Sequence, residues 1–371
     1  MAGILCTASL LGGAVLRFTD DPVALWSFLN DFNEIKKNYF RPVSDKELML
    51  GASQGMFAAV GDPYTVVLLG EKYDSFMEGT TGEYGGIGVV IGVNKNNQPV
   101  IINVFSQGSA AESGLLAGDI LVAIDGKDTE ELGLNGTASA VRGEKGTTVE
   151  IDVNRNDEIL HFTVDRSEIT MPTVQSFMAD DEIGYIHIYT FAKHTADEFH
   201  DQLASLRIMG AKKLIIDVRM NPGGLIDSVV SVANQILSGG TVVSYYTKNG
   251  YTESYDIEGV DAPMPLTVLI DRNSASASEI LAGAVQDKKE GIIIGEKSFG
   301  KGTVQAVFDT GDKKALKISI AEYRTPSGKT IDKEGITPDE AVEQVGFLFD
   351  KNTDSVYRKA VEFLQNQPVT E

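Results

Sequence analysis

With 371 residues, 42% of them hydrophobic, the chain is long enough for two or three domains that bury apolar cores. Its formal net charge of −21 argues against a nucleic-acid or anionic-membrane partner, because such partners require clustered basic residues. A single cysteine, Cys6, excludes an intrachain disulfide, and the four histidines lack metal-ligand spacing, so no metal or other cofactor is predicted.

The first 16 residues are apolar and uncharged, and the first basic residue is Arg17. This run is shorter than the ~18 to 20 residues that span a bilayer, and it lacks the basic start of a signal peptide. We interpret residues 1–18 as part of a signal-anchor whose start lies upstream, with an ordinary buried segment as the alternative. The interpretation predicts an extracytoplasmic protein, either membrane-anchored or secreted.

Residues 20–60 have the pattern of two amphipathic helices. The first, Val23–Phe40, carries its apolar residues on one face. The second follows a capping-box sequence, Ser44 to Glu47, and runs from Leu48 to Val60. We therefore assign residues 19–82 to an N-terminal helical cap or dimerisation region, although simple packing against a core explains the same pattern.

Between residues 83 and 168 the sequence changes to short apolar runs separated by glycines. Gly85–Ile91 reads GGIGVVI, and Ala117–Gly126 reads AGDILVAIDG. Glycines allow successive backbone amides to point in one direction and form a nest for a peptide's terminal carboxylate. Ile87 and Gly88 would donate those amides. A glycine-rich loop alone is also compatible with a plain hairpin, but the two tracts together resemble a PDZ domain of the bacterial protease type.

From residue 169 onward, apolar strands alternate with helical patterns, as in an α/β layer fold. A buried strand, Lys213–Val218, leads into Asn221-Pro-Gly223-Gly224 ahead of the next helix. Amides at such a turn can bind an oxyanion if a nucleophile is near, although an ordinary left-handed turn fits the residues too. We assign residues 169–345 to an α/β core, and residues 346–371 to a C-terminal helix that folds back on the N-terminal region.

The most informative stretch of the core runs from Leu266 to Gln305. A strand, Leu266–Ile270, is followed by the sequence SASASE, which opens a helix and leaves Ser276 at the strand-to-helix corner. A later strand leads into Ser298-Phe-Gly-Lys301-Gly. A lysine between two glycines, beside apolar sequence, is unusual for a solvated side chain.

Such a pair could act as a nucleophilic serine with a neutral lysine as its base. The pKa of the lysine would then have to fall from ~10.4 by about 3 units, which desolvation can achieve. Gln305, four residues after Lys301, could orient the amine. The alternative is structural, since Ser276 and Glu279 also have the spacing of a capping box.

These two motifs together are similar to the paired signature of the C-terminal processing peptidases, also called tail-specific proteases. The similarity lies in SASASEI at residues 274–280 and FGKGTVQ at residues 299–305. The resemblance implies that Ser276 is the nucleophile, Lys301 the base and Gln305 the residue that supports the lysine.

The same resemblance extends to the architecture and to the oxyanion site. It implies a multidomain α/β protein that has a crotonase-like protease core, an inserted, mostly-β PDZ domain and N-terminal amphipathic helices that cap the core or dimerise. It also implies that Gly223 or Gly224, with the amide of Ala277, holds the oxyanion.

The expected function is that of a serine endopeptidase that cleaves extracytoplasmic proteins at or near their C-termini. Its PDZ domain would bind substrate tails and gate activity, and the protein would form a homodimer. One alternative is a catalytically idle PDZ scaffold that only binds peptides. Acyl-CoA chemistry, which crotonase-like folds also host, is a third possibility. The absence of a basic patch in the sequence argues against it.

Overall fold

The computed structural model describes residues 19–105 and 108–368. These residues form two compact units: residues up to Leu68 together with Gln305–Ser319, and Leu69–Val304 together with the chain from Ile320 onward. The predicted signal-anchor segment lies outside the described residues. Among the residues described, no helix is both long and apolar enough to cross a membrane.

The helices of the described chain are mostly short. In chain order they are α1 (Pro22–Asn38), α2 (Asp45–Ala59), α3 (Glu71–Thr81), α4 (Ser109–Glu112), α5 (Thr129–Val141), α6 (Thr195–Ile208), α7 (Ile226–Ala233), α8 (Ala277–Lys288) and α9 (Ser355–Gln365).

The strands fall into three groups along the chain. The first group is β1 (Val66–Leu69), β2 (Glu83–Gly86), β3 (Val89–Val93), β4 (Pro99–Val104), β5 (Ile120–Ile124), β6 (Lys127–Asp128), β7 (Thr148–Arg155), β8 (Glu158–Asp165) and β9 (Ser167–Thr170). The second is β10 (Val174–Asp180), β11 (Ile183–Ile188), β12 (Lys213–Asp217), β13 (Ser238–Thr247), β14 (Thr252–Gly259), β15 (Leu266–Ile270) and β16 (Ile292–Gly295). The third is β17 (Thr303–Gly311), β18 (Lys314–Arg324) and β19 (Glu340–Ala341).

Both helices predicted for residues 20–60 are present as α1 and α2, in the first unit. The capping box at α2 is confirmed, because the Glu47 amide donates to Ser44 Oγ at 3.2 Å and the Ser44 amide donates to Glu47 Oε2 at 2.9 Å. Neither helix contains a buried residue. Most of the apolar face of α1 is therefore exposed, although Leu25 and Phe32 are partly buried, and Trp26 leaves 66% of its surface open.

The second unit contains a small antiparallel sheet within residues 83–168. Its strands lie in the order β3-β4-β5-β7-β8, with β6 beside β5. Alternate residues of β7, namely Val149, Ile151 and Val153, are fully buried and form a core with Ile87 and Leu121. Just outside this sheet, β2 pairs with β9 in antiparallel fashion.

The larger sheet of the second unit has the order β10-β11-β12-β15-β16-β19. The pairs from β11 to β19 are parallel. Both faces of this sheet are covered, which explains why β12 and β15 are almost continuously apolar. On one face Ile216 and Val268 belong to a core that includes residues of α6, α7 and α8, while Ile215 and Leu269 point to the opposite face.

The helix α9 covers that opposite face. Its residues Val356, Tyr357, Ala360 and Leu364 are buried in one cluster with residues of β11, β12, β15 and β16. The sequence predicts that this helix folds back on the N-terminal region. In the structure its buried face is packed on the core sheet, because the spacing of these four side chains turns all of them toward the same apolar surface. Packing of this helix on the N-terminal region remains a prediction.

Three loops begin at the carboxyl ends of β12, β15 and β16. These strands are parallel neighbours, with Asp217 opposite Leu269 and Ile270 opposite Gly295. Because the carboxyl ends of adjacent parallel strands meet at one edge of a sheet, the segments 218–225, 271–276 and 296–302 emerge together, where α/β sheets commonly bind ligands. The topology therefore unites the three motifs that the sequence keeps far apart.

Candidate active site

Ser276 lies at the corner between β15 and α8, in a strained backbone conformation. Its φ and ψ angles are 56° and −113°, a combination that costs a non-glycine residue on the order of 1–3 kcal/mol. Surrounding hydrogen bonds hold it there. The Ser276 amide donates to Glu279 Oε2 at 2.8 Å, and the Ser276 carbonyl accepts the amides of Glu279 and Ile280 at 2.9 and 3.0 Å.

The Glu279 carboxylate connects the serine loop, residues 271–276, to the lysine loop, residues 296–302. Glu279 is fully buried, and its Oε2 accepts the Lys301 amide at 2.9 Å in addition to the Ser276 amide. Its Oε1 accepts hydrogen bonds from the Ser298 hydroxyl at 2.6 Å and from the Gly300 amide at 2.7 Å. Four donors thus surround two acceptor oxygens. This arrangement suits a carboxylate, because each of its oxygens can accept two hydrogen bonds.

Lys301 lies between two glycines of the lysine loop, and its side chain is partly buried. The flanking glycines are required by close packing. A Cβ on Gly302 would lie 2.0 Å from the Asp332 amide nitrogen, and Gly300 has a φ of +88°. The Phe299 amide also donates to the Ser274 carbonyl at 3.0 Å, which joins the lysine loop to the serine loop a second time.

The Asn-Pro-Gly-Gly turn packs directly against the serine. A Cβ on Gly223 would lie 2.7 Å from Ser276 Cβ and 3.0 Å from the Ala277 amide nitrogen. The Gly223 amide donates to Asn221 Oδ1 at 2.8 Å, within its own turn. Within the described ranges, the backbone amides of Gly224 and Ala277 donate no hydrogen bond. The turn therefore packs beside Ser276, and two amides remain available there: that of Gly224 in the turn and that of Ala277 at the start of α8.

The third residue predicted for catalysis, Gln305, lies in β17. Its Nε2 donates to Ser319 Oγ at 3.3 Å. Gln305 belongs to the first compact unit, whereas Ser276 and Lys301 belong to the second. Its predicted support of Lys301 remains a prediction.

The predicted carboxylate-binding residues Ile87 and Gly88 line a groove of the small sheet. Its volume is about 230 Å³, and its other lining residues are Tyr84, Gly86, Val89, Val90, Ile91, Phe105, Ala138, Val141, Arg142 and Met171. The loop is fixed through its carbonyls, because Ile87 O accepts the Ala110 amide at 2.9 Å and Gly88 O accepts the Phe105 amide at 2.8 Å. The groove is mostly apolar, as expected for a peptide tail.

Two sequence-family models match this chain. The model of peptidase family S41 matches residues 182–342, and that of the PDZ domain matches residues 85–165. The carboxyl-terminal-processing protease of a Picosynechococcus species is 36% identical, over 89% of this chain and 83% of the relative. The corresponding protease of a Synechocystis species is 34% identical, over 96% of this chain and 92% of the relative. The chain belongs to the carboxyl-terminal-processing proteases.

One solved structure agrees with this assignment. The photosystem II D1 C-terminal processing protease is similar to this chain with a TM-score of 0.51 and 28% sequence identity, over 84% of this chain and 86% of that one. The expected fold class, a mixed α/β protein with a PDZ domain, is therefore confirmed, and the protein is a serine-type peptidase. Within residues 19–105 and 108–368, no cluster of His, Cys, Asp and Glu could hold a metal ion.

Sequence reasoning missed a buried charged network in this protease, beside the Asn-Pro-Gly-Gly turn. Arg219 is only 1% exposed. Its Nη2 donates one hydrogen bond to Asp217 Oδ2 and another, at 2.8 Å, to Asp354 Oδ2. Burial raises the pKa of Asp354, but the hydrogen bonds and charge of Arg219 outweigh burial and hold that pKa below its ordinary value. Asp354 caps α9 by accepting the Tyr357 amide at 3.0 Å, so the network ties α9 to the strand that leads into the turn.

The signal for this network was present in the sequence but incomplete. Asp217 and Arg219 end an apolar strand, where charged residues need a partner. Asp354 is 135 residues further along the chain than Arg219, and nothing local to it marks it as that partner.

Proposed function

We propose that this protease is an endopeptidase that cleaves extracytoplasmic proteins at or near their C-termini, with Ser276 as nucleophile and Lys301 as base. The observation that carries the proposal is that the amides of Ser276 and Lys301 donate to the same oxygen, Glu279 Oε2. One buried carboxylate thus fixes the backbone of both residues. The strained conformation of Ser276 at a strand-to-helix corner is the second support, since such strain clusters at functional sites.

In the proposed reaction, the neutral Lys301 amine takes the proton of Ser276 Oγ as that oxygen attacks the scissile carbonyl. The oxyanion accepts hydrogen bonds from the amides of Gly224 and Ala277. We favour Gly224 over Gly223 because the Gly223 amide already donates to Asn221. The lysine then gives the proton to the leaving amine, and a water molecule, deprotonated by the same lysine, hydrolyses the acyl-enzyme. Gln305 would position the lysine amine.

Substrate digestion tests the dyad. The purified full chain is incubated with unfolded casein and with a peptide that has a free C-terminus, and the fragments are identified by mass spectrometry. Wild-type protein should produce fragments, whereas Ser276→Ala and Lys301→Ala should not. Lys297→Ala, which removes an exposed lysine of the same loop, is the matched control and should keep full activity. Fragments from Ser276→Ala would mean that another nucleophile is used.

The same experiment tests the scaffold alternative. If wild-type protein binds tail peptides but yields no fragments, the PDZ domain recruits partners to an idle core. The intact serine and lysine argue against that outcome.

The groove at Ile87 and Gly88 would capture the free carboxylate of a substrate tail and shift the protease toward its active state. A ligand that prefers the active state a hundredfold shifts the equilibrium by about 2.7 kcal/mol. Short peptides with free apolar C-termini should then stimulate cleavage of a separate fluorogenic reporter, and amidated peptides should stimulate less. Pure competition at every concentration would mean that the domain only captures substrate.

The N-terminal region supports the proposed location and oligomeric state. The apolar residues 1–16 favour a protein that acts outside the cytoplasm. The exposed apolar residues of α1, including Trp26 and Phe28, favour burial in a homodimer. Sedimentation of the full chain should give a dimer mass, and Trp26→Glu should reduce it to that of a monomer. A monomeric wild-type protein at micromolar concentration would contradict the dimer.

A further inference from the structure

The carbonyl of Gly223 is held by two donors from the segment that follows β11. The Phe191 amide donates to the Gly223 oxygen at 2.9 Å, and the Thr190 hydroxyl donates to the same oxygen at 3.0 Å. The Leu225 amide in turn donates to the Phe191 carbonyl at 2.7 Å. The backbone bonds form a parallel bridge between Phe191 and Gly224. The Asn-Pro-Gly-Gly turn is therefore paired with the chain just after β11.

This pairing sets the direction of the Gly224 amide. In a planar trans peptide the carbonyl and the following N–H point in opposite directions. Because the Gly223 carbonyl points toward Thr190 and Phe191, the Gly224 amide points away from them. Gly223 itself packs against the nucleophile, since a Cβ on it would lie 2.7 Å from Ser276 Cβ. The direction of the amide at the proposed oxyanion site thus depends on how the preceding carbonyl is bound.

The peptide between Gly223 and Gly224 would otherwise rotate easily. Glycine has no Cβ and tolerates a wide range of backbone angles, and these two residues have φ angles of +105° and +146°. A flipped peptide would present its carbonyl oxygen, instead of its amide, to the oxyanion and repel it. Asn221 holds the preceding peptide, because its Oδ1 accepts the Gly223 amide at 2.8 Å. The two bonds to the Gly223 carbonyl hold the peptide that follows.

Of the two donors to this carbonyl, only the Thr190 hydroxyl belongs to a side chain. Thr190 is partly buried, and its own carbonyl accepts the hydroxyl of Thr195 at 3.1 Å. Thr195 is fully buried, and its hydroxyl oxygen accepts the Ala192 amide at 2.8 Å. The segment that carries the Thr190 hydroxyl is therefore itself fixed. A valine at position 190 would fill nearly the same volume, but it could not donate a hydrogen bond.

We propose that Thr190 is a positioning residue of this protease, whose hydroxyl holds the Gly223 carbonyl so that the Gly224 amide faces the oxyanion. The hydroxyl acts through the peptide between the two glycines and does not touch substrate. A correctly directed amide gains most as negative charge develops on the scissile carbonyl, so its effect is larger in the transition state than in the substrate complex. This inference rests on the proposed oxyanion site beside Ser276.

The test compares Thr190→Val, which is nearly isosteric, with Thr190→Ser, which keeps the hydroxyl. A fluorogenic peptide gives kcat and KM. A peptide aldehyde reports on the oxyanion site, because the hemiacetal oxygen of its adduct with Ser276 would bind there. Thr190→Val should lower kcat by about 3- to 10-fold at an unchanged KM, as expected for one hydrogen bond. It should weaken aldehyde binding by the same factor, and Thr190→Ser should stay close to wild type in both measurements.

Thr80→Val is the matched control. Thr80 is also partly buried, and its hydroxyl donates to the Phe76 carbonyl at 2.8 Å, but it lies in α3. This variant should keep the wild-type kcat. The pH midpoint of kcat/KM should be the same in all variants, because none of them changes Lys301. Wild-type kcat in Thr190→Val, or a kcat in Thr190→Ser as low as that of Thr190→Val, would overturn the proposal.

A second pair of variants decides the question if Thr190→Val is unstable. Thr190→Ala and Thr190→Ser differ only in the hydroxyl, and equal kcat values for them would refute the role of Thr190. The outcomes also separate this inference from the proposed function. If wild-type protein neither cleaves the peptide nor binds the aldehyde, the dyad proposal fails. If the wild type is active and Thr190→Val is equally active, the dyad stands and only the role of Thr190 is refuted.

Discussion

The backbone amides of Ser276 and Lys301 donate to a single carboxylate oxygen, at 2.8 and 2.9 Å. This oxygen belongs to Glu279, which lies in the first turn of α8 and is fully buried. The relative position of the serine and lysine backbones therefore depends on one side chain. A shift of that side chain would change the distance between nucleophile and base, to which catalysis is very sensitive.

Glu279→Gln should weaken both stability and activity. The amide side chain replaces one acceptor oxygen with a donor, which would face two of the present donors. Leaving buried donors unsatisfied costs about 1–3 kcal/mol for each group. We expect a lower free energy of unfolding in urea, and a kcat reduced by about 100-fold even in the folded fraction.

Glu290→Gln provides the matched control for Glu279→Gln. The Glu290 carboxylate also accepts a backbone amide and a serine hydroxyl, both from Ser238, but it lies beyond the other end of α8. Glu290→Gln should lower the free energy of unfolding without lowering kcat. Equal kcat values for the two variants would contradict a positioning role for Glu279.

The corner at Ser276 could be predicted from the sequence because its signals are local. An apolar strand, a polar turn and a capping sequence follow one another within 15 residues, and the structure has β15, the turn and α8 in that order. The remaining partners of Glu279 could not be predicted in the same way. Ser298 and Gly300 lie 19 and 21 residues ahead, and only the parallel pairing of β15 with β16 brings them to the carboxylate.

Tyr323 illustrates the same limit over a longer distance. It occupies an alternating strand in which a tyrosine is an ordinary residue, so neither its type nor its spacing indicates a contact with the lysine loop. Its amide nevertheless donates to the Gly302 carbonyl at 2.7 Å, because β18 packs beside that loop. Conversely, the apolar periodicity of α1 predicts a buried face, yet within the described residues most of that face is exposed. Periodicity specifies which residues share a face and not what covers them.

Gly223→Ala should abolish activity through a local collision. The new Cβ would lie 2.7 Å from Ser276 Cβ and from the Ala275 carbonyl oxygen, so the serine loop or the turn must move. A displacement of about 1 Å at a reacting group can cost 100-fold in rate. Initial rates on a fluorogenic peptide measure the effect.

The control for this variant is Gly210→Ala. Gly210 has a φ of +104°, almost equal to the +105° of Gly223, but its Cβ would lie 3.7 Å from the nearest atom. Both variants should share the backbone strain, about 1–2 kcal/mol, and only Gly223→Ala should lose activity. Similar activities would mean that the turn accommodates the methyl group.

Asp354→Asn should loosen α9. The change removes the charge that pairs with the buried Arg219 and puts a donor near its guanidinium, and breaking a buried pair costs about 3 kcal/mol or more. Hydrogen exchange should accelerate first in Ser355–Gln365. The control is Lys359→Ala, which removes a surface ion pair with Glu340 and should change the free energy of unfolding by less than about 1 kcal/mol. Hydrogen exchange of α9 at the wild-type rate in Asp354→Asn would refute the prediction.

The rate of the protease should rise with pH as Lys301 loses its proton, because only the neutral amine can accept the serine proton. The apparent midpoint should lie well below the ~10.4 of a free lysine. Lys301→Arg should be inactive, since a guanidinium does not give up its proton. A kcat/KM that is constant from about pH 5 to 10 would remove the support for lysine as the base.

The last prediction concerns acid stability and His187, a buried residue of β11 whose ring stacks on Tyr189 at 4.3 Å and meets Phe349 edge-on at 4.5 Å. Burial is the largest influence on the pKa of His187, and it lowers that pKa. The charge of Arg219 also lowers it, and together they outweigh the charge of Asp217, which raises it. The unfolded chain therefore binds this proton at a higher pH than the folded protein does.

The sign of the effect follows from proton binding. Between the unfolded pKa of ~6.5 and the lower folded value, each decrease of one pH unit removes about 1.4 kcal/mol of stability, and above ~6.5 the contribution is complete. His187→Phe keeps an aromatic ring but cannot be protonated, so its unfolding midpoint in urea should fall less than that of the wild type between pH 7.5 and 5. His200→Gln, which removes an exposed imidazole, is the control. A parallel decline of wild type and His187→Phe would assign the acid sensitivity to other groups.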